Sequence, residues 1–325
     1  MTTDSALLQL DDVKVHFRVR KGLFGVETIK AVDGVNLQLQ RGEVVAVVGE
    51  SGSGKTTLGR ASLGLLSPTS GRVLFDRHDL TKQTMQERTN FRRRAQAIFQ
   101  DPFASIDPFM TIYDSVAEPL VIHRVGTETE RRALVYQALR DVRLTPVDEI
   151  GERYPHMLSG GQRQRAGIAR ALVLRPEYIL ADEPVSMVDA SSRAELLYLL
   201  RELRERYAIT FLYITHDIAT ARHFAQRIVV MYLGRIVESG PASAIVEYPL
   251  HPYTQALIAA VPEPNPANRL QMRPVLQGET PNPGNMPTGC AFHPRCPRFM
   301  AKRCEITPPA LVEVEPEHYV ACYLY

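Results

Sequence analysis

The sequence predicts an α/β fold, a mainly parallel sheet covered by helices, followed by a chemically different C-terminal segment. Three observations carry this. Short apolar runs alternate with helical stretches through residues 1–240. One of those runs, 43–48, leads into a glycine-rich loop and then a helix. Of the 23 prolines, eight lie in residues 1–240 and fifteen in the last 85, while all four cysteines fall at 290, 296, 304 and 322.

The elements follow in order. Residues 13–19 and 30–39 alternate apolar and polar as half-buried strands do. Residues 43–48 form a short continuous apolar run, the pattern of a strand buried on both faces. The helix after the glycine loop extends to about 66, closed by Ser67-Pro68. A short strand at 73–75, a polar helix at 86–94 and an apolar strand at 97–99 come next, then helices over 112–121 and 128–140. The helix from about 160 to 174 stops before Arg175-Pro176. Residues 178–181 and 210–214 read as buried strands around an amphipathic helix at 192–207. Residues 226–232 and 235–238 flank Leu233-Gly234 as a hairpin. After Gly240-Pro241 come two short helical stretches, 242–247 and 252–260, then a proline-rich, linker-like segment over 262–287. No internal repeat is present.

Composition excludes several classes. With 38 Lys and Arg against 36 Asp and Glu, the net charge of +2 gives no general drive toward nucleic acid or anionic lipid. Arg92-Arg93-Arg94 reads as a solvated helix face. No apolar run approaches the roughly 18 residues of a membrane-spanning helix. The N-terminus lacks a basic stretch followed by an apolar one, so a cytosolic chain with reduced thiols is expected.

Gly49-Glu50-Ser51-Gly52-Ser53-Gly54-Lys55-Thr56 fits G-x-x-x-x-G-K-[ST] between a buried strand and a helix, the context that gives this pattern meaning. Glycines let the backbone curl so that its N–H groups point at phosphate oxygens, and the helix N-terminus adds partial positive charge. Lys55 suits the β- and γ-phosphates, and the Thr56 hydroxyl suits Mg²⁺. The strand at 178–181 delivers Asp182 to its carboxyl end, where α/β sheets bind ligands. Asp182 can hold Mg²⁺, directly or through water, and the adjacent Glu183 can polarise an attacking water. Alone, such an acidic pair is an ordinary solvated turn; beside a phosphate loop it becomes a candidate catalytic pair.

Leu158-Ser159-Gly160-Gly161-Gln162 lies 103 positions after Lys55 and 24 before Asp182. Ser159 is a good N-cap for the helix that follows. In this order the motifs resemble those of the ATP-binding-cassette (ABC) ATPases, with this segment as the signature motif; the likeness spans roughly residues 8–240. The resemblance implies a P-loop NTPase core with a mixed sheet and a helical subdomain at about 101–175, within a nucleotide-binding domain of residues 1–240. It assigns Gln100 to the Q-loop, contacting Mg²⁺ and the lytic water. Ser186-Met187-Val188-Asp189 resembles the D-loop, with Met-Val in place of the commoner Ala-Leu. His216, 34 positions past Asp182, resembles the switch histidine holding the γ-phosphate. Phe17 is the candidate for adenine stacking, although an aromatic in a strand is more often core. The resemblance implies catalytic roles for Glu183, His216 and Gln100. ATP binding falls to Phe17, Gly49, Ser51, Gly52, Ser53, Gly54, Lys55, Thr56 and Thr57, and across a head-to-tail pair of such domains to Ser159, Gly160, Gly161, Gln162 and Asp189. Thr56, Gln100 and Asp182 would hold Mg²⁺.

The run Ile98-Phe99-Gln100-Asp101-Pro102-Phe103-Ala104-Ser105-Ile106-Asp107-Pro108, together with Gly49-Glu50-Ser51-Gly52 and His251-Pro252-Tyr253-Thr254, resembles the oligopeptide/dipeptide importer ATPases, in particular the second of the two such subunits. That likeness covers nearly the whole chain. It implies a heterodimer with a related ATPase, two transmembrane permeases docked near residues 103–121, an extracytoplasmic solute-binding protein, and a place at the cytoplasmic face of the membrane. Relatives of this kind also import nickel and oligosaccharides. A DNA-directed ABC ATPase splits its two halves with a long coiled coil, for which the span from Lys55 to Leu158 is too short. A redox-regulated module with a vestigial ATPase does not suit an intact Glu183 and His216.

Residues 241–325 form the expected C-terminal extension. Its cysteines, spaced Cys290-x5-Cys296-x7-Cys304-x17-Cys322, lack the close C-x-x-C pairs of common zinc ribbons. Clustered cytosolic cysteines point to metal before disulfides, and four thiolates suit an iron–sulfur cluster as well as zinc. Four unliganded thiols are the plain alternative. The family resemblance implies a 4Fe–4S site, with Zn²⁺ as the alternative, and hence a small metal-binding extension.

Overall fold

The protein's structure, a computed structural model, describes residues 6–21, 25–101, 105–261, 278, 279, 281, 282 and 284–325. Residues 103 and 104 of the expected permease dock, the preceding Pro102, and most of the proline-rich segment 262–287 lie outside the described residues. The contacts divide the chain into two compact units: Met1–Leu7, Leu39–Glu43 and Phe75–Leu212 in one, Leu8–Gln38, Val44–Leu74 and Tyr213–Tyr325 in the other.

In the first unit, strands Ala95–Ile98 and Tyr178–Asp182 run parallel, with Ala95 opposite Tyr178 and Ile98 opposite Ala181. Every residue of Tyr178–Asp182 is buried, which explains its continuous apolar run. Helices Ile112–Ile122, Glu128–Asp141 and Gly160–Leu172 pack on one another. They bury Ile112, Val116, Leu120, Val135, Leu139, Ile168 and Leu172, each worth about 1.5–3 kcal/mol against exposure. Arg94, read from sequence as part of a solvated face, is instead the hub of an ion network. Its guanidinium bonds Glu177 at 2.5 Å and Asp76 at 2.6 Å, and Arg41 bonds the same two carboxylates at 2.6 Å each. The guanidinium hydrogen bonds hold both carboxyl groups below their ordinary range against the opposing effect of burial.

In the second unit, Val44–Val48 pairs in parallel with Arg227–Tyr232, from Val45 beside Arg227 to Val48 beside Val230. Arg235–Pro241 returns antiparallel, completing the expected hairpin. Two strands that sequence reading had not anticipated, His318–Val320 and Val312–Glu315, extend this sheet antiparallel, with Glu238 opposite Val320. The C-terminal segment is therefore part of the sheet. A buried carboxylate marks the joint: Glu238 accepts from the backbone N–H of Leu250 at 2.7 Å and of His251 at 2.9 Å, and meets His318 Nε2 at 2.8 Å. A buried carboxylate needs such partners to offset its desolvation. Ala6–Lys21, Gly25–Gln40 and Ser70–Phe75, lying mainly in this unit, belong to a second sheet.

Boundaries moved for local reasons. The helix after the glycine loop, Lys55–Ser62, ends before the expected 66, because Gly64 turns left-handed and the Leu65 N–H closes on the Arg60 carbonyl at 2.9 Å. Helices Val147–Glu152 and Ile218–Phe224 are too short to leave a clear 3.6-residue period. Among the described residues, no helix is long and apolar enough to cross a membrane.

Candidate functional site

The loop 49–56 leaves the buried strand Val44–Val48 and enters the helix Lys55–Ser62. Gly49 and Gly54 have φ of +155° and +99°. A Cβ on Gly54 would sit 2.1 Å from the Ala31 carbonyl oxygen, and one on Gly49 2.3 Å from that of Met231. Only glycine fits either place. The loop is closed by the Ser53 N–H on the Glu50 carbonyl at 3.2 Å, and the Gly234 N–H of the hairpin turn braces the Ser53 carbonyl at 2.9 Å. Lys55 is buried, and its ammonium donates to the Gly49 carbonyl at 2.7 Å and the Glu50 carbonyl at 2.8 Å. Thr56 and Thr57 occupy the first helical turn, half-buried, while Ser51 and Gly52 are exposed. A curled backbone, a helix N-terminus and a buried ammonium together fit a phosphate chain.

In the other unit, Asp182 ends its strand buried, and Glu183 follows in the left-handed region at φ +48°. A non-glycine residue there carries strain of about 1 kcal/mol or more, of the kind concentrated at functional sites. Gln100 Nε2 donates to Glu183 Oε2 at 3.1 Å, joining two residues that sequence reading linked only through the family resemblance. The backbone N–H and Oγ of Ser186 donate to the Glu183 carbonyl at 3.2 and 3.0 Å.

Ser159 caps Gly160–Leu172 reciprocally. Its Oγ accepts the Gln162 N–H at 3.2 Å, and Gln162 Oε1 accepts the Ser159 N–H at 3.0 Å. Asp189 caps Ala190–Tyr207, accepting the Ser192 N–H at 2.9 Å. His216 is exposed, directly after the buried strand Thr210–Thr215. Phe17 is 39% exposed, so its ring is not the core aromatic that its strand position favours. Gln100, Asp182, Glu183, residues 159–162 and Asp189 belong to one unit; Phe17, residues 49–57 and His216 belong to the other.

The cysteines depart from expectation. All four are free thiols. The Cys290 N–H donates to the Cys304 carbonyl at 2.7 Å. Burial first, then the neighbouring thiols, push the Cys290 thiol up to about 11 and raise those of Cys296 and Cys322. Yet among the described residues no group of three or more His, Cys, Asp or Glu side chains could hold a metal ion. As arranged, the thiols form no such group, so the structure gives no support to the 4Fe–4S or zinc centre of the expected metal-binding extension. Backbone bonding and aromatic packing around Phe292 hold this part of the tail together.

Sequence reading also missed contacts around Glu50. Its backbone N–H donates to the Tyr253 hydroxyl at 2.8 Å, and its carboxylate pairs with Arg295 at 2.9 and 3.2 Å. Glu50 occupies a variable position of the loop pattern, and Arg295 lies 245 residues away. No spacing rule connects them.

Residues 32–186 match the family described as ABC transporter, and residues 237–304 that described as oligopeptide/dipeptide transporter, C-terminal region. A Brucella ovis protein named for peptide import and ATP binding is 46% identical over 320 residues, 98% of either chain. The oligopeptide transport ATP-binding protein AppF of Bacillus subtilis is 45% identical, over 98% of this chain and 97% of that one. Among solved structures, the ATP-binding cassette MJ0796, described as a dimer in a post-hydrolysis state bound to ADP and Pi, is 32% identical with a TM-score of 0.64. It covers 72% of this chain and 98% of its own. CbiO1 of Clostridium perfringens, described as part of the ABC transporter complex cbiONQ, is 28% identical with a TM-score of 0.65, over 75% and 92%.

Proposed function

The chain belongs to the ABC transporter family of ATPases, and on that premise we propose that it is the ATP-hydrolysing subunit of a di- or oligopeptide importer. The observation that carries the cargo class is the match of residues 237–304 to the oligopeptide/dipeptide transporter C-terminal region. It joins a phosphate loop in which a Cβ on Gly49 or Gly54 would meet a backbone carbonyl at 2.3 or 2.1 Å.

The residues divide the work. The loop N–H groups and Lys55 bind the β- and γ-phosphates, displacing the lysine from the loop carbonyls it now touches. Phe17 offers an exposed ring face to the adenine. Thr56, Asp182 and Gln100 are the proposed Mg²⁺ ligands; the ion, when bound, neutralises charge developing on the phosphates. Glu183 accepts a proton from the attacking water, oriented by its bond from Gln100. His216 holds the γ-phosphate. Ser159, Gly160, Gly161, Gln162 and Asp189 act on the nucleotide of a related partner ATPase. Catalysis of this kind is positioning and charge stabilisation.

Permease docking is proposed on the first unit. A groove of about 550 Å³ there is lined by Ile106, Pro108, Phe109, Met110, Glu118 and Arg170. Phe109 is 88% exposed, and the Arg170–Glu118 pair at 2.6 Å closes one side. This subunit would thus sit at the cytoplasmic face of the membrane through its permeases, with a solute-binding protein delivering cargo on the far side.

The test is uptake. Co-purified with its membrane subunits in proteoliposomes, the chain should drive ATP-dependent accumulation of a labelled peptide, and Glu183→Gln should reduce uptake and hydrolysis at least 100-fold while MgATP still binds. Uptake of nickel or an oligosaccharide in place of peptide would replace the cargo class. Unchanged hydrolysis in E183Q would remove Glu183 from its role. Metal binding by Cys290, Cys296, Cys304 and Cys322 is a separate proposal, supported by their confinement to the last 36 residues of the sequence and requiring the thiols to draw together on binding. Protein purified anaerobically without iron, sulfide or zinc would reject it.

A further inference from the structure

Glu50 places a carboxylate in the phosphate loop, where it adds like-charge repulsion beside a bound triphosphate unless it is neutralised. Its three polar groups are all engaged. The N–H donates to the Tyr253 hydroxyl at 2.8 Å, and the carbonyl accepts from the Lys55 ammonium at 2.8 Å. The carboxylate takes a two-pronged bond from Arg295, with Nη1 to Oε2 at 2.9 Å and Nη2 to Oε1 at 3.2 Å. The Arg295 side chain is only 7% exposed, so this pair is screened far less than a surface one. Arg295 also donates to the Tyr232 hydroxyl at 3.4 Å. Tyr232, Tyr253 and Phe292 pack as a ring cluster with centroids 4.7–5.4 Å apart. Phe292 and Arg295 both lie between Cys290 and Cys296, in and beside the turn His293–Arg295.

We propose that the cysteine-bearing tail is a strut for the phosphate loop, in which Arg295 is a positioning residue that neutralises and pins Glu50 so that the loop accepts nucleotide phosphates. Arg295 acts through Glu50. Removing its guanidinium deprives the carboxylate of this counter-charge next to the anion site, and that exposed charge outweighs the loss of one of the three points that fix the loop around Lys55. Removing both charges takes away the repulsion together with its remedy.

The inference rests on the ATPase reading, and the wild-type chain's own binding of MgATP tests that reading separately. Calorimetric titration of the full-length chain with MgATP should give a Kd about tenfold weaker for Arg295→Gln, an intermediate loss for R295K, and recovery to within about twofold of wild type in the E50Q/R295Q double variant. In hydrolysis by the complex, the R295Q effect should fall on KM far more than on kcat. A structural loss alone would lower the melting temperature without this split or the charge-paired rescue. If R295Q fails to fold, E50Q carries the test: it should bind MgATP more tightly than wild type. Wild-type affinity in folded R295Q, absence of rescue in the double variant, or weaker binding by E50Q overturns the proposal.

Discussion

The phosphate loop and the signature turn are both glycine-bearing approaches to a helix N-terminus, yet they are built in opposite ways. Gly49 and Gly54 are left-handed and hemmed in by carbonyls of other elements, and Lys55 behind them is buried. Gly160 and Gly161 have no such backbone. A Cβ there would meet its nearest neighbours, Met187 O and Ser192 Oγ, at 4.0 and 3.7 Å, ordinary contact distances. The signature turn is capped by its own Ser159 and Gln162, with Ser159 exposed. One loop is a cradle finished by distant parts of its own chain. The other is finished within four residues, a build that suits the half-site proposed above for a partner's nucleotide.

The largest test of this contrast is Gly54→Ala. A methyl group 2.1 Å from the Ala31 oxygen on a left-handed backbone forces the loop open. MgATP binding should weaken at least 100-fold, about 2.8 kcal/mol, by calorimetry. Near-normal affinity would show that the loop is not braced as described.

Acid should reach the phosphate loop through its brace. His251 caps the helix carrying Tyr253, its Nδ1 accepting the Tyr253 N–H at 3.0 Å, and burial lowers its pKa to about 4. The folded state holds it neutral while the unfolded chain takes up a proton near pH 6.5. Stability is therefore fully present above pH 6.5 and is lost as pH falls toward about 4, by at most about 3 kcal/mol. Denaturant melts across pH 4–7 should show this slope, and H251Q should flatten it. An unchanged slope in H251Q would place the acid sensitivity elsewhere.

The smallest structural effect should come from Gly161→Ala. Exchanging an unstrained helical glycine for alanine should leave stability unchanged or raise it by about 0.5 kcal/mol, with MgATP binding to the isolated chain unaffected. Hydrolysis by the assembled pair should fall about tenfold. A loss of binding in the isolated chain would make the two glycine turns alike and end the comparison.

Much of the candidate site was legible in the sequence, because phosphate loops, acidic strand ends and capped turns are made by consecutive residues. The buried run Val44–Val48 and the cap at Ser159 needed only spacing and propensity. The short helix Ala242–Glu247 was legible, but Val147–Glu152, Ile218–Phe224 and the tail strands were not, since so few residues leave little period and the tail strands are stabilised by pairing with Arg235–Pro241. The four thiols are a related case: spacing shows which cysteines are near in sequence, while ligand geometry depends on how the tail packs.

By itself the sequence determined the chemistry of the loops, because the groups that would meet the phosphates are neighbours along the chain and their conformations follow from glycine, lysine and capping residues at fixed offsets. Only the tertiary structure decided what steadies them. The bond from Gln100 to Glu183, the burial of Glu238 with His318, and the pairing of Glu50 with Arg295 across 245 residues all depend on packing that brings distant segments together. Such a contact is a matter of through-space distance, and it leaves no mark on the local order of the chain.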